Sequence, residues 1–187
     1  MTTSLLCQAQ LSQLLIIDVQ ERLAQTMDAD VLGKLVRNTN ILIEAATALT
    51  IPILRTEQYP KGLGPTLPDI AAKLPAGQTA HEKTCFSSCG ASGIETFLND
   101  ATRKQIIVTG METHICVLQT AVELQLQGKQ VFVVQDAVCS RRKKHFNNAL
   151  TRMQQAGIII SNVESVLFEW LKDASHPQFK TLSKLIR

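Results

Sequence analysis

The stretch VTGMETHICV, Val108–Val117, decides how this chain folds. A short apolar run, Gln105–Thr109, breaks at Gly110, and a helical pattern begins at Thr113. Strand, glycine turn and helix start together form the junction of an α/β unit. Backbone N–H groups of a first helical turn lack intrahelical partners, and the helix dipole there favours an anion. Cys116 lies in that turn. A thiol in such a field is expected to ionise more readily than a free cysteine, and the same amides can hold an oxyanion. The alternative is an ordinary core cysteine, because free Cys is among the most buried residue types. Spacing separates the two readings only partly. Val117, Leu118, Ala121, Val122 and Leu124 form the apolar stripe, whereas Thr120 and Glu123 follow Cys116 at helical spacing and place it at the polar edge.

Working outward, short apolar runs alternate with longer amphipathic ones. Strands are expected at Leu14–Val19, Ile51–Thr56, Gln105–Thr109, Gln130–Val134 and Gly157–Ser161. Helices are expected at Asp30–Thr50, Ser92–Ala101, Thr113–Gly128, Ser140–Ala156, Ser165–Lys172 and Gln178–Ile186. Ser92 is the expected N-cap of its helix, with Glu95 completing a capping box. Pro60–Gly77 reads as loop with one short helix at Asp69–Lys73. The apolar runs do not alternate with polar residues, which is the pattern of strands buried on both faces. The expectation is a three-layer, Rossmann-like α/β domain over residues 1–187, with a central parallel sheet of about six strands and helices on both faces.

Composition fits that class and excludes others. The 187 residues are 45% hydrophobic and 19% charged, enough for a full core and unlike a disordered chain. No run of about 18 apolar residues exists, so no membrane-spanning helix is expected. The start, MTTSLLCQAQLSQ, lacks a basic residue and is a poor signal peptide. A net charge of +3 does not by itself imply a nucleic-acid partner. The five cysteines, Cys7, Cys85, Cys89, Cys116 and Cys139, are odd in number, favouring reduced thiols and a cytoplasmic location.

In open parallel sheets, ligands bind beyond the carboxyl ends of the strands. Asp18 stands there, in LLIIDV, as a carboxylate at the end of a buried strand; it is either a structural acceptor or a functional acid. Lys83, in HEKTCFSSCG, is either a surface lysine or the cation that pairs with Asp18 and favours a thiolate. His114 is two residues from Cys116 and would point elsewhere on a helix, so it is not expected to be the base; Glu112 can reach the site only through its backbone. His81, Cys85 and Cys89 have four-residue spacing but no fourth ligand, and no metal is expected. RRKKH, Arg141–His145, reads as a solvated face.

Taken together, LLIIDVQ, ILRTEQYPKGLG, HEKTCFS, VTGMETHICV and VVQDAVCSR…HFNNALTRMQQAGIII resemble the isochorismatase-like cysteine hydrolases, in particular the small single-domain isochorismatase-domain proteins. The resemblance spans nearly the whole chain. It implies six parallel strands flanked by helices and an Asp–Lys–Cys triad: Asp18 as base, Lys83 as support for the charged pair, Cys116 as nucleophile. It also implies a cis peptide at Met111–Glu112 and an oxyanion hole from the Glu112 and Cys116 amides. The expected chemistry is hydrolysis of a small metabolite at a C–N amide-type bond without a cofactor. Relatives that hydrolyse nicotinamide carry an Asp and two His after the second strand, where this chain has RTEQYP. Gln20, Tyr59, Leu63 and Phe86 are the expected pocket residues, by proximity to the motifs. The expected partners are a small-molecule substrate and other copies of the chain; Phe179, Leu182 and Ile186 form one face of a C-terminal helix that docks either on its own domain or on a neighbour. Two other readings share the fold: a non-catalytic binding or assembly module, and a redox sensor pairing Cys116 with Cys85 or Cys89.

Overall fold

Residue patterning along the first strand shows how the layers form. In β1 (Ser12–Ile17), Leu14 and Ile16 enter one hydrophobic cluster while Leu15 and Ile17 enter another. The same split recurs in β4 (Gln105–Met111), with Ile107 and Met111 against Ile106 and Val108. It recurs again in β5 (Gln130–Cys139), with Phe132 and Val134 against Val131 and Val133. Side chains alternate across a strand, so an unbroken apolar run feeds two cores at once. The first core is closed by α2 (Ala29–Ala48) and α8 (Val163–Leu171), the second by α6 (Leu118–Leu126) and α7 (Lys143–Gln155).

The computed structural model describes residues 5–187. Among them, β1, β4 and β5 join β2 (Ile53–Gln58), β3 (His81–Lys83) and β6 (Ile159–Ser161) in an all-parallel sheet of order β3-β2-β1-β4-β5-β6. The expected three-layer α/β architecture is therefore observed. Chain order runs outward from β1 in both directions, which puts the topological switch between β1 and β4. No described helix is long and apolar enough to cross a membrane.

Several boundaries differ from expectation. β3 was not expected because HEK has no apolar pattern; it forms at the sheet edge by pairing Thr56 with His81 and Gln58 with Lys83. The expected helix Ser92–Ala101 shrinks to α5 (Glu95–Leu98), and no side chain caps it. Gly93 at φ 77° breaks the helical path just before it, and the Ser92 carbonyl is 3.0 Å from His81 Nδ1. Two short helices absent from the sequence pattern form in loops, α1 (Glu21–Ala24) after β1 and α3 (Pro60–Leu63) after β2, where α4 (Pro68–Ala71) follows it. β5 runs on to Cys139, its register shifting between Val108 and Gly110 of β4. The final expected helix contracts to α9 (Phe179–Leu182). Leu182 is buried in the first core, and Phe179 and Ile186 pack against it, so this segment docks on its own sheet.

Candidate active site

Three strand ends bring the site together. Asp18 follows β1 with φ 50°, a left-handed conformation that Asp tolerates better than most residues. Its carboxylate is fully buried. Oδ1 accepts a hydrogen bond from Thr56 Oγ1 at 2.8 Å, and Oδ2 lies 2.6 Å from Lys83 Nζ. Lys83 ends β3, so the unforeseen edge strand is what delivers the ammonium. Both side chains of this ion pair have no solvent exposure.

The ammonium is held on every side. Besides Asp18, Nζ donates to Gln58 Oε1 at 2.7 Å, Phe86 O at 3.1 Å and Cys85 O at 3.3 Å. An ammonium has three protons, so these four acceptors, Asp18 included, more than fill its donor capacity. Gln58 is itself fixed: its Nε2 donates to Thr84 O at 2.7 Å, and its backbone is clamped by Gln20, which accepts from Gln58 N and donates to Gln58 O. The second Gln20 donor contact is to Gly64 O at 2.6 Å. The amide atoms of Gln20, one of the expected pocket residues, are thus spent on backbone, and the side chain braces two loops.

The third strand end is β4. Gly110, at φ 122°, lies so close to β1 that a Cβ there would come within 2.0 Å of Ile17 O. Only glycine lets β4 approach the residue before Asp18 this closely. The Met111–Glu112 peptide is cis. Thr113–Val117 then forms a widened π-helical turn ahead of α6, not the regular α-helix expected from Thr113. Cys116 sits in this turn, 5% exposed and packed in the second core. Its thiol lies within electrostatic reach of Asp18 and Lys83. The Glu112 side chain turns away to Arg141, its carboxylate accepting from Arg141 N at 3.0 Å and Nε at 3.1 Å. His114 Nδ1 contacts Ser140 Oγ at 3.0 Å.

The expected lowering of the thiol pKa is reversed. Burial first, then the negative charge of Asp18, push Cys116 up to about 12, and Lys83 only partly offsets them. Low-dielectric surroundings and a nearby anion outweigh the pull of the ammonium and the helix start. At neutral pH the resting thiol keeps its proton, beside a carboxylate able to take it.

Three hydroxyl residues were missed in the sequence. Thr56 holds Asp18 and lies 3.4 Å from Ser88 Oγ. Ser88 N donates to Thr120 Oγ1 at 2.8 Å, and that hydroxyl donates to Cys116 O at 2.6 Å. A chain of small polar groups therefore ties Asp18 to the backbone of Cys116. Thr56 ends an apolar strand and Thr120 lies one turn beyond Cys116, so both carried a positional signal; Ser88 carried none. Of the other expected pocket residues, Tyr59 and Phe86 are more than half exposed on either side of Lys83 and Leu63 is partly buried. Tyr59, Lys61, Lys83 and Ser92 line a cavity of about 400 Å³.

Comparison with known proteins bears on the fold and the family. The isochorismatase domain model matches residues 12–165. Isochorismatase domain-containing protein 2 of Danio rerio is 38% identical over 175 residues, covering 94% of this chain and 86% of that protein. The secreted isochorismatase effector Isc1 of Phytophthora sojae is 38% identical over 160 residues, covering 83% and 76%. Among solved structures, the MAR1 ribonuclease of Caenorhabditis elegans superposes with a TM-score of 0.90 at 36% identity, covering 96% of this chain and 91% of that one. With its all-parallel sheet and the matched residues 12–165, the chain belongs to the isochorismatase domain family, a family of hydrolase-like α/β proteins.

Proposed function

We propose that the chain is a cysteine hydrolase acting on a small metabolite at a C–N amide-type bond, without a cofactor. The observation that carries this reading is the fully buried Asp18–Lys83 pair beside the Cys116 thiol. Two charges removed from water cost several kcal/mol each before their attraction is counted, on the order of what a small domain can spare. A pair so placed, next to a nucleophile at the strand ends, has the character of a catalytic group.

The residues divide the work as follows. Asp18 takes the thiol proton as sulfur attacks the carbonyl carbon. The amides of Glu112 and Cys116 receive the oxygen of the tetrahedral intermediate. Asp18 returns the proton to the departing nitrogen, leaving a thioester on Cys116. Water, deprotonated by Asp18, then attacks the thioester and releases the acid and the free thiol. Lys83 has its protons committed to Asp18, Gln58 and backbone carbonyls, so its role is to hold the carboxylate and lower the cost of negative charge. Tyr59, Leu63 and Phe86 form the walls that take the substrate's apolar part. Exposure of Tyr59 and Phe86 at this mouth supports a second copy covering it, to be tested by light scattering. All five cysteines are unpaired, which supports a reducing, cytoplasmic setting.

Hydrolysis of a panel of small amides, ureides and isochorismate by wild type and Cys116→Ala tests the reading. Turnover by wild type alone, with an acyl adduct mapped to Cys116, is the expected result. A second reading, RNA cleavage, draws on the exposed basic run Arg141–Lys144 next to the Glu112 turn. A short RNA in the same panel separates the two, because cleavage that survives Cys116→Ala would favour it.

A further inference from the structure

The loop after Lys83 carries two thiols that the proposed chemistry does not use. Cys85 is exposed and its Sγ donates to Ser87 O at 3.3 Å. Cys89 is half-buried, its backbone N donates to Ser87 Oγ at 3.2 Å, and its thiol also interacts with the Ser87 side chain and with Cys85. The Cys85 sulfur lies 2.7 Å from where a Cβ on Gly90 would be, against the residue that follows Cys89. Both cysteines therefore contact Ser87, Cys85 through its sulfur and Cys89 through its backbone N–H. The segment between them is the one that holds the catalytic pair. Cys85 O and Phe86 O accept from Lys83 Nζ, and Ser88 touches Thr56, which holds Asp18, and Thr120, which holds the Cys116 carbonyl.

We propose that Cys85 and Cys89 form a reversible disulfide under hydrogen peroxide, and that this bond switches the neighbouring site off. Exposed Cys85 attacks the peroxide O–O bond as thiolate, releasing water and leaving a sulfenic acid. The Cys89 thiol attacks that sulfur, the S–S bond forms, and a second water leaves. Two thiols lose two hydrogens and the peroxide is reduced to two waters. Disulfide geometry demands Cα atoms about 4.4–6.8 Å apart and a fixed torsion, so the bond imposes its own shape on the loop. Carbonyls of Cys85 and Phe86 move with the loop and release the ammonium. The consequence for activity rests on the hydrolase reading; formation of the bond does not.

The test has two arms. In the first, reduced full-length protein is treated with hydrogen peroxide and digested without reductant. A Cys85–Cys89 linked peptide, lighter by two hydrogens and restored by dithiothreitol, is expected. A disulfide involving Cys116, or stable sulfinic acid at Cys85 with no linkage, overturns the proposal. In the second arm, alkylation of Cys116 by iodoacetamide is followed before and after peroxide, with Cys116 resolved by mass spectrometry. Oxidation is expected to slow it roughly tenfold, the effect of about one unit in thiol pKa. Cys89→Ser is expected to alkylate at the wild-type reduced rate and to lose the peroxide effect. An unchanged Cys116 rate in oxidised wild type, with the disulfide formed, removes the switch. Neither arm uses a substrate, so failure of the amide panel leaves both results interpretable.

Discussion

Polar groups are buried at both ends of this sheet, and they are built differently. At the amino end, Gln105 accepts from Gln8 N and donates to Leu6 O and Gln130 Oε1. Gln13 donates to Arg103 O, and Arg103 reaches the carbonyls of Ala9 and Ser12. Trp170 donates to Ser12 Oγ. These are mostly neutral amides and hydroxyls bonded to backbone, and they fasten strand starts to the preceding loops. At the carboxyl end, opposite full charges meet 2.6 Å apart with no exposure, and a thiol lies beside them. Neutral amides bonded to carbonyls account for themselves as architecture. A sealed charge pair next to sulfur needs a further reason, and the proposed chemistry supplies it.

Substitutions at the two ends are expected to separate activity from stability. Cys116→Ala should abolish turnover, a loss on the order of 10⁴-fold or more, while melting temperature changes little. Initial rates and thermal denaturation measure both. Asp18→Asn keeps the size and one acceptor but removes the proposed base, and should cost activity about 10²–10⁴-fold. Lys83→Met strands the Asp18 carboxylate in the interior and should lose about 3–5 kcal/mol in urea unfolding. If Lys83→Met proves as stable as wild type, the pair is not the strained element described here.

Gln58→Leu sharpens the comparison within the carboxyl end. It removes one of the acceptors around Nζ while the Gln20 clamp keeps the backbone in place, so a roughly tenfold fall in turnover with near-normal stability is expected. The smallest effect on chemistry belongs to the amino end. Gln105→Ala should cost about 1–3 kcal/mol by leaving backbone groups unpaired, yet leave Cys116 alkylation untouched. An equal loss of alkylation there would erase the distinction between the two ends.

The sequence made the scaffold readable because the strands are buried on both faces. LLIIDV and QIIVT can serve no other element of that length, and helices of amphipathic period lie between them. Asp18 and Cys116 were legible as candidates because one ends an apolar run and the other lies at a helix start, whereas Lys83 stood out only through the motif HEKTCFS. What escaped reading depended on pairing across the chain. β3 exists only because Thr56 and Gln58 offer it a register, and its HEK residues have no period of their own. Ser88 and Thr120 meet across 32 residues, with nothing local to announce it. The direction of the thiol shift was misjudged for a related reason. Helix position is written in the sequence, but the depth of burial and the nearness of Asp18 are properties of the fold, and they outweigh it.

The pH dependence of Cys116 alkylation in wild type and Asp18→Asn tests the central claim most directly. Wild type should label slowly at pH 7, with the rate rising about tenfold per pH unit toward an apparent pKa near 12. Asp18→Asn removes the anion that raises that value while Lys83 remains. The thiol should therefore titrate lower and label faster at neutral pH, even as hydrolysis is lost. Identical titration curves for the two proteins would show that the acid and the sulfur do not act on each other, and would contradict the account.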